Sequence, residues 1–335
     1  MKTLLTRLIL VFALMVGVSW AHAAEPVKIR IGWVVVPPEL TPILFAKDGI
    51  AQHLGKSYEL VPTHFTSSSP MIEALAINEL DIAGFTFFSL ASAVANAQLD
   101  DVRVIADEFQ DGVEGYFSAA YLVRNDSGIK TIEYLKGKVV ASYGAGSLGD
   151  MAIRVMLRRH GLEANRDYTM IEARPPTHKA MLLEHKVDMI IGQGITFYEP
   201  ELQSQAHPLF TTRDALGRIQ GGIFTARAGV LAQHRAAYVD FLEDTLRAVR
   251  WYNDRAHHDA AIDILAGFSK VPRAQLEGWA FTQRDEYRDP NGLPDLAALQ
   301  RIIATAQELG FIKTAVDVKK HADLSLVEEA AHRLK

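Results

Sequence analysis

Two turns in this sequence carry residues whose types and spacing suit the capture of an anionic oxygen. In "THFTSSSPMIEAL", Ser67, Ser68 and Ser69 precede Pro70, and Met71, Ile72, Leu75 and Ala76 then share one helical face. Ser69 fits the N-cap and Pro70 the first helical position, where a missing N–H costs nothing. Free amide N–H groups, the positive helix end and spare hydroxyls make such a turn an anion site. Simple capping is the alternative, and it needs only one serine. The second turn, "ASYGAGSLGDMAIRVMLRRHG", repeats the arrangement. Ser147 and Asp150 have capping-box spacing, Gly144 and Gly146 allow close backbone approach, and Tyr143 opens the turn.

Other candidates sit where strands end. Thr86 and Phe88 follow one apolar run, and Arg174 follows another, just before Pro175-Pro176. A guanidinium there can grip a carboxylate or sulfonate with two bonds, or pair with Glu172 at the surface. In "MIIGQGITFYEP", Gln193 and Thr196 compete with Glu199 for the position facing a ligand. Rings at Phe88, Tyr143, Phe197 and Tyr198 offer stacking worth about 0.5–1.5 kcal/mol beyond burial. That lining suits a small organic anion, aromatic or aliphatic, better than a bare inorganic one.

Catalytic and metal patterns are weaker. The chain has no cysteine and no G-x-S-x-G elbow. His257-His258-Asp259 is the densest group among 12 histidines, but neighbours on a helix diverge by about 100°. "GAGSLG" is formally G-x-G-x-x-G, with Glu172 downstream where a dinucleotide site wants an acid. Its place in mid-chain argues against that use. No catalytic residue, metal ligand or cofactor is therefore expected.

A scaffold for these turns is visible in the pattern. Short β-rich runs at Val27–Ile31, Tyr58–Val61, Ile82–Phe85 and Val102–Ala106 alternate with helical stretches at Pro42–Gly55 and Pro70–Asn78. Ser118–Val123 is another strand, followed by the turn "RNDSG". A second set follows with Val139–Ser142, Tyr168–Glu172 and Val187–Ile191, helices between them, and a returning strand at Gly222–Thr225. From Gln233 onward the pattern is nearly all helical. Alternation in two blocks predicts two mainly parallel sheets covered by helices. The blocks echo each other, since "EALAINELDI" and "AMLLEHKVDM" align as helix end, polar break and apolar-Asp step.

A length of 335 residues with 49% hydrophobic ones allows two domains with real cores. Lys+Arg 35 against Asp+Glu 40 gives a net charge of −5, which offers no basic field for nucleic acid. Lys2 and Arg7 precede eleven apolar residues, Leu8–Val18, and the small-x-small step Ala21-His22-Ala23. This is the form of a cleaved secretory signal, too short to span a bilayer. With no cysteine for lipidation, the expected location is a periplasm.

The segments "VKIRIGW", "SSSPMIEALAINELDIAGF", "YLVRNDSGIKTIEYLKGKVVASYGAGS" and "GLEANRDYTMIEARPP…KVDMIIG" together cover most of residues 27–200. Here the chain resembles the substrate-binding proteins of ABC importers, in the nitrate/sulfonate/taurine and thiamine-pyrimidine-precursor binding group. The resemblance implies an α/β, two-lobe periplasmic binding protein fold (type II) with the ligand cleft between lobes. One lobe would be residues 24–118 and 230–335 and the other 124–222, with crossing strands near 118–123 and 222–229. It implies a monomer without turnover that captures a small-molecule solute and delivers it to an ABC permease in the inner membrane, the ATPase subunit acting indirectly. Expected cleft residues are Ser67, Ser68, Ser69, Thr86, Phe88, Tyr143, Gly146, Ser147, Arg174, Gln193 and Thr196. An enzyme of related fold acting on a pyrimidine or menaquinone precursor, or a periplasmic sensor subunit, are the alternatives. The sequence departs from the group where a glycine usually ends the helix before the apolar-Asp step. Asn78 or Glu79 stands there in one block and His185 or Lys186 in the other. The aromatic-acid-proline step also comes late, at Tyr198-Glu199-Pro200, which weakens taurine as a ligand if Glu199 is displaced. N-terminal sequencing of the exported protein should read from Ala24; an intact Met1 segment would refute the cleavage.

Overall fold

The computed structural model describes residues 25–36 and 38–335, so the expected signal segment and its cleavage site lie outside the described residues. Ten strands form two five-stranded sheets among these residues. The first holds β1 (Val27–Trp33), β2 (Tyr58–His64), β3 (Ile82–Phe85), β4 (Val102–Asp111) and β10 (Ile219–Arg227). Its order is β2-β1-β3-β10-β4, and β10 runs antiparallel to both neighbours. The second holds β5 (Ala120–Arg124), β6 (Val139–Ser142), β7 (Thr169–Glu172), β8 (Met189–Gly192) and β9 (Ala206–Thr211). Its order is β7-β6-β8-β5-β9, with β5 antiparallel to both neighbours. Strand for strand, the two lobes have the same order.

Helices connect the parallel strands and cover the sheets. Following β2 and β3 are α1 (Ser68–Ala76) and α2 (Phe87–Ala95); α3 (Leu148–Arg159) and α4 (Pro175–Leu183) follow β6 and β7. After β8 come α5 (Gly194–Tyr198) and α6 (Pro200–Gln205), and after β9 comes α7 (Thr212–Leu216). The last third returns to the first lobe as α8 (Ala228–Gln233), α9 (Arg235–Asn253), α10 (His258–Ser269), α11 (Leu296–Glu308) and α12 (Ser325–Arg333). Tyr58, Phe241 and Tyr252 are among the large side chains fully buried there. No helix among the described residues is long and apolar enough to cross a membrane.

The echo between the blocks has a physical basis. Asn78 and His185 both take a left-handed backbone, at φ 58° and 59°, where the helix turns into the strand. Asn does this at little cost; His pays more. Three residues later a carboxylate ties the new strand to a parallel neighbour. Arg30 N donates to Asp81 at 2.8 Å, and Val139 N donates to Asp188 at 2.9 Å. The acid-strand steps are thus register pins, not ligand groups.

Three expectations need correcting. Pro42–Gly55 is a series of turns and not a helix, because its backbone bonds are spent on other elements. The buried Asp244 carboxylate accepts from Gln52 N and His53 N, and Tyr252 Oη donates to Ile43 O. Strand β9 went unread because Pro208 interrupts its pattern, which an edge strand tolerates. The passages between sheets also lie elsewhere. Most of Ser118–Val123 belongs to β5 and most of Gly222–Gly229 to β10, so the chain crosses at residues 112–119 and 212–218.

These two passages lie side by side. A Cβ on Gly112, at φ 77°, would stand 2.8 Å from Gly217 O, and Arg213 donates to the carbonyls of Val113 and Tyr116. Asp111 accepts from Ser118 Oγ and Ala119 N and closes the first passage into a tight loop. Gly112→Ala combines a left-handed backbone with a backbone clash. It should lower stability by about 2 kcal/mol or more, read as a fall in Tm, whereas Gly128→Ala, with open space around it, should cost only the backbone term.

Candidate functional site

The carboxyl ends of the parallel strands of both sheets face one another across the passages, which is where open α/β sheets place ligands. On the first lobe this rim carries the loop after β1, the starts of α1 and α2, and the end of β4. On the second it carries residues 143–147 and the start of α5.

At α1 the N-cap is Ser67 and not Ser69; Ser68 and Ser69 open the helix and Pro70 is its third residue. The Ser67 side chain makes no capping bond, so its hydroxyl and the first N–H groups remain available at an exposed surface. Thr86 caps α2 through Ser89 N. Ser147 caps α3, accepting from Asp150 N at 3.2 Å. This second helix start is already taken by a carboxylate. Fully buried Asp150 accepts from Gly146 N at 2.9 Å and pairs with Arg154 at 2.9 Å. The chain's own acid thus fills the place assigned to a ligand's acid.

Several predicted residues do meet. A Cβ on Gly146 would lie 3.4 Å from the Phe311 ring and 3.6 Å from Phe88, so both first-lobe rings press on the second-lobe turn. Tyr143 donates to Ile191 O and packs on His178, and its burial pushes the phenol pKa up. Gln193 crosses the cleft and donates to Glu286 at 3.0 Å. Glu199 is instead bound by Lys179, so Gln193 is the one that engages the opposite lobe. Thr196 is half-buried on α5, and Arg174 is exposed at the start of α4.

Sequence reasoning missed a set of charged residues on the first lobe. Glu39, Glu108, Asp285, Glu286 and Arg288 are each less than a tenth exposed. Glu39 accepts from Val34 N at 2.7 Å, and burial pushes its pKa up to about 7. Burial and the neighbouring Glu39 hold Glu108 well above the usual carboxylate range. Burial and Asp285 do the same to Glu286. Arg288 pairs with Asp285 at 3.3 Å and donates to Pro38 O. The one signal in the sequence was "VIADEFQD", where acids interrupt an otherwise apolar strand. The C-terminal third gave no signal, because residues 276–295 are a wedge of turns and not the expected helix.

A second seam closes the cleft at its side. Tyr198 of α5 stacks on Trp279, centroids 5.5 Å apart at 13°, with Arg284 over its ring and its hydroxyl donating to Arg284 O. A groove of about 380 Å³ lies along this seam, lined by Ile195, Glu199, Gln275 and these three. Met151 of α3 is buried within the first lobe's apolar cluster, so the lobes also share core.

The NMT1-like family model matches residues 22–266. No curated protein matches the sequence significantly. Among solved structures, the fold is similar to the periplasmic aliphatic sulphonate-binding protein of Escherichia coli, with a TM-score of 0.72 and 18% identity over 89% of this chain and 92% of that one. It is also similar to the periplasmic nitrate-binding protein of Synechocystis PCC 6803, with a TM-score of 0.67 and 16% identity over 93% and 90%. A desulfurization enzyme shares the fold at a TM-score of 0.66 and 15% identity, over 92% and 100%.

If the Tyr198 stack holds the lobes together, Tyr198→Ala removes about 0.5–1.5 kcal/mol of closure. Small-angle scattering should then show a larger radius of gyration, while Tyr134→Ala at an exposed second-lobe site leaves it unchanged.

Proposed function

We propose that this chain, which belongs to the NMT1-like family, is the solute-capturing component of an ABC import system. It binds a small organic molecule between its lobes and presents the closed form to a membrane permease. The observation that carries this reading is the pair of adjoining passages beneath a rim whose contacts, Gln193–Glu286 and Tyr198–Trp279, all join one lobe to the other. Such a joint lets rigid lobes close around a ligand by small backbone changes. The sulphonate- and nitrate-binding proteins of like fold favour the same role. A periplasmic location is part of this reading, favoured by those neighbours.

For the solute's acidic group, if it has one, the start of α1 is the better receptor. Ser67 leaves its own helix uncapped, whereas Asp150 already occupies the start of α3. Phe88, Phe311 and Tyr143 would bound the body of the solute. The protein acts as a monomer and consumes no cofactor; ATP is hydrolysed by the separate subunit of the importer.

The desulfurization enzyme of like fold makes turnover the second reading to be tested. Protein purified from a periplasmic extract should release an unmodified small molecule on denaturation, identified by mass spectrometry. Adding that molecule back should shrink the radius of gyration and raise Tm, by about 2.7 kcal/mol of stability at 100 times Kd. Conversion of the molecule by purified protein would establish the enzyme instead.

A further inference from the structure

The first lobe carries an acidic pole that neither capping nor strand pairing uses. Glu108 lies on β4 near the floor of the cleft, 6% exposed, and its Oε1 has no hydrogen-bond partner among the described residues. Glycine backbone packs against its other oxygen. A Cβ on Gly84 would stand 3.1 Å from Glu108 Oε2 and 3.4 Å from Glu39 Oε2, and one on Gly222 would stand 3.1 Å from Glu108 Oε2. Two carboxyl groups thus converge over a floor that two glycines strip of side chains. Gly84 is the penultimate residue of β3, so this floor belongs to the rim that faces the second lobe.

The other acids nearby are accounted for. Asp107 accepts from Gln110, Gln220 and Asp289 N. Asp285 accepts from Phe281 N, Glu286 N and Arg288. Glu286 accepts from Gln193 across the cleft. Arg288 serves Asp285 and the carbonyls of Glu286 and Pro38. Its charge favours ionisation of both Glu108 and Glu286, yet it serves three carboxyl groups, Asp285 among them. A buried carboxyl group with an unpaired oxygen is expensive, and a fold retains one where a partner arrives from outside. The raised pKa values of Glu39 and Glu108 are the same cost seen as proton affinity.

We propose that Glu39 and Glu108 form the receptor for a protonated nitrogen on the solute, with Gln193 and Glu286 closing over it from the lobe seam. This deepens the solute-capture reading and rests on it. The solute is then an organic ammonium, or a zwitterion whose acid, if present, lies toward α1. An ammonium group brings three donors, enough for Glu108 Oε1 and for Glu39. Charge-assisted bonds in a site shut from water are the strong ones, so closure and recognition reinforce each other.

The test pairs amines with isosteres that lack the charged nitrogen: taurine with isethionate, γ-aminobutyrate with 4-hydroxybutyrate, choline with 3,3-dimethylbutanol, and putrescine with 1,4-butanediol. The full protein, stripped of co-purified solute, is read by thermal shift and by small-angle scattering. At least one amine should raise Tm and compact the protein, and its isostere should not. Glu108→Gln should weaken that amine at least about tenfold, while Glu79→Gln, exposed and outside the cleft, should not change it. With no ligand added, Glu108→Gln should also melt higher than wild type at pH 8, because its amide can donate to Glu39 where two acids now face each other. A lower melting point in that variant, or a panel in which no amine shifts Tm, overturns the proposal. If only the isosteres compact the protein, the acidic pole is refuted while solute capture stands. If scattering shows no closure with any solute, including the one recovered from the periplasm, solute capture itself fails.

Discussion

Gly112 and Gly217 let the two passages between the sheets touch backbone to backbone, and the geometry of the cleft follows from that contact. Because the passages adjoin, both chain connections between the lobes lie along one short line. Arg213 fastens the line by donating from the second passage to two carbonyls of the first. The strands leaving it, β4 and β10 on one side and β5 and β9 on the other, direct the carboxyl ends of both sheets toward a common space. Side chains that meet there, such as Gln193 and Glu286, are 93 residues apart in sequence. Only a joint of this kind brings them within hydrogen-bond distance.

The cleft concentrates charge that the protein pays for in stability. Elsewhere buried acids are put to use: Asp244 accepts from two backbone N–H groups and Tyr58 Oη, and Asp81 pins a strand. Glu108 has no such use, and the contrast within one molecule makes it informative. Desolvation dominates its titration, and the nearest opposite charge, Arg288, is committed to Asp285. The second lobe shows the opposite arrangement at α3, where Asp150 satisfies the helix start from within. The two helix starts that looked equivalent in sequence are therefore chemically different, one open and one filled.

The internal echo of the chain extends from short motifs to whole sheets. Each lobe builds a left-handed junction at the end of its second helix-strand unit and ties the next strand by an aspartate. Each also inserts one antiparallel strand, β10 or β5, next to the last strand of the order. This strand comes from the far side of the passages. It knits the two lobes into one chain path, which explains why the first lobe cannot be completed until residues beyond the second have been made.

The sequence by itself determined the alternation of strands and helices, the two α/β blocks, the capped turns and the family they resemble. These are local properties: periodicity of 2 or 3.6 residues, serine before a helix, asparagine where the backbone turns left-handed. Only the tertiary structure decided what occupies each turn. Whether α3 opens to a ligand depends on the rotamer of Asp150, and whether Gln193 or Glu199 engages the first lobe depends on Lys179 capturing the latter. The acidic pole was invisible for the same reason. Glu39, Glu108 and Glu286 lie on three separate stretches of chain, and beyond the acids that interrupt the apolar run at 107–108 nothing short-ranged distinguishes them from solvated acids. Their meaning arises when burial removes water and the fold supplies too few donors, and that is a property of the assembled cleft alone.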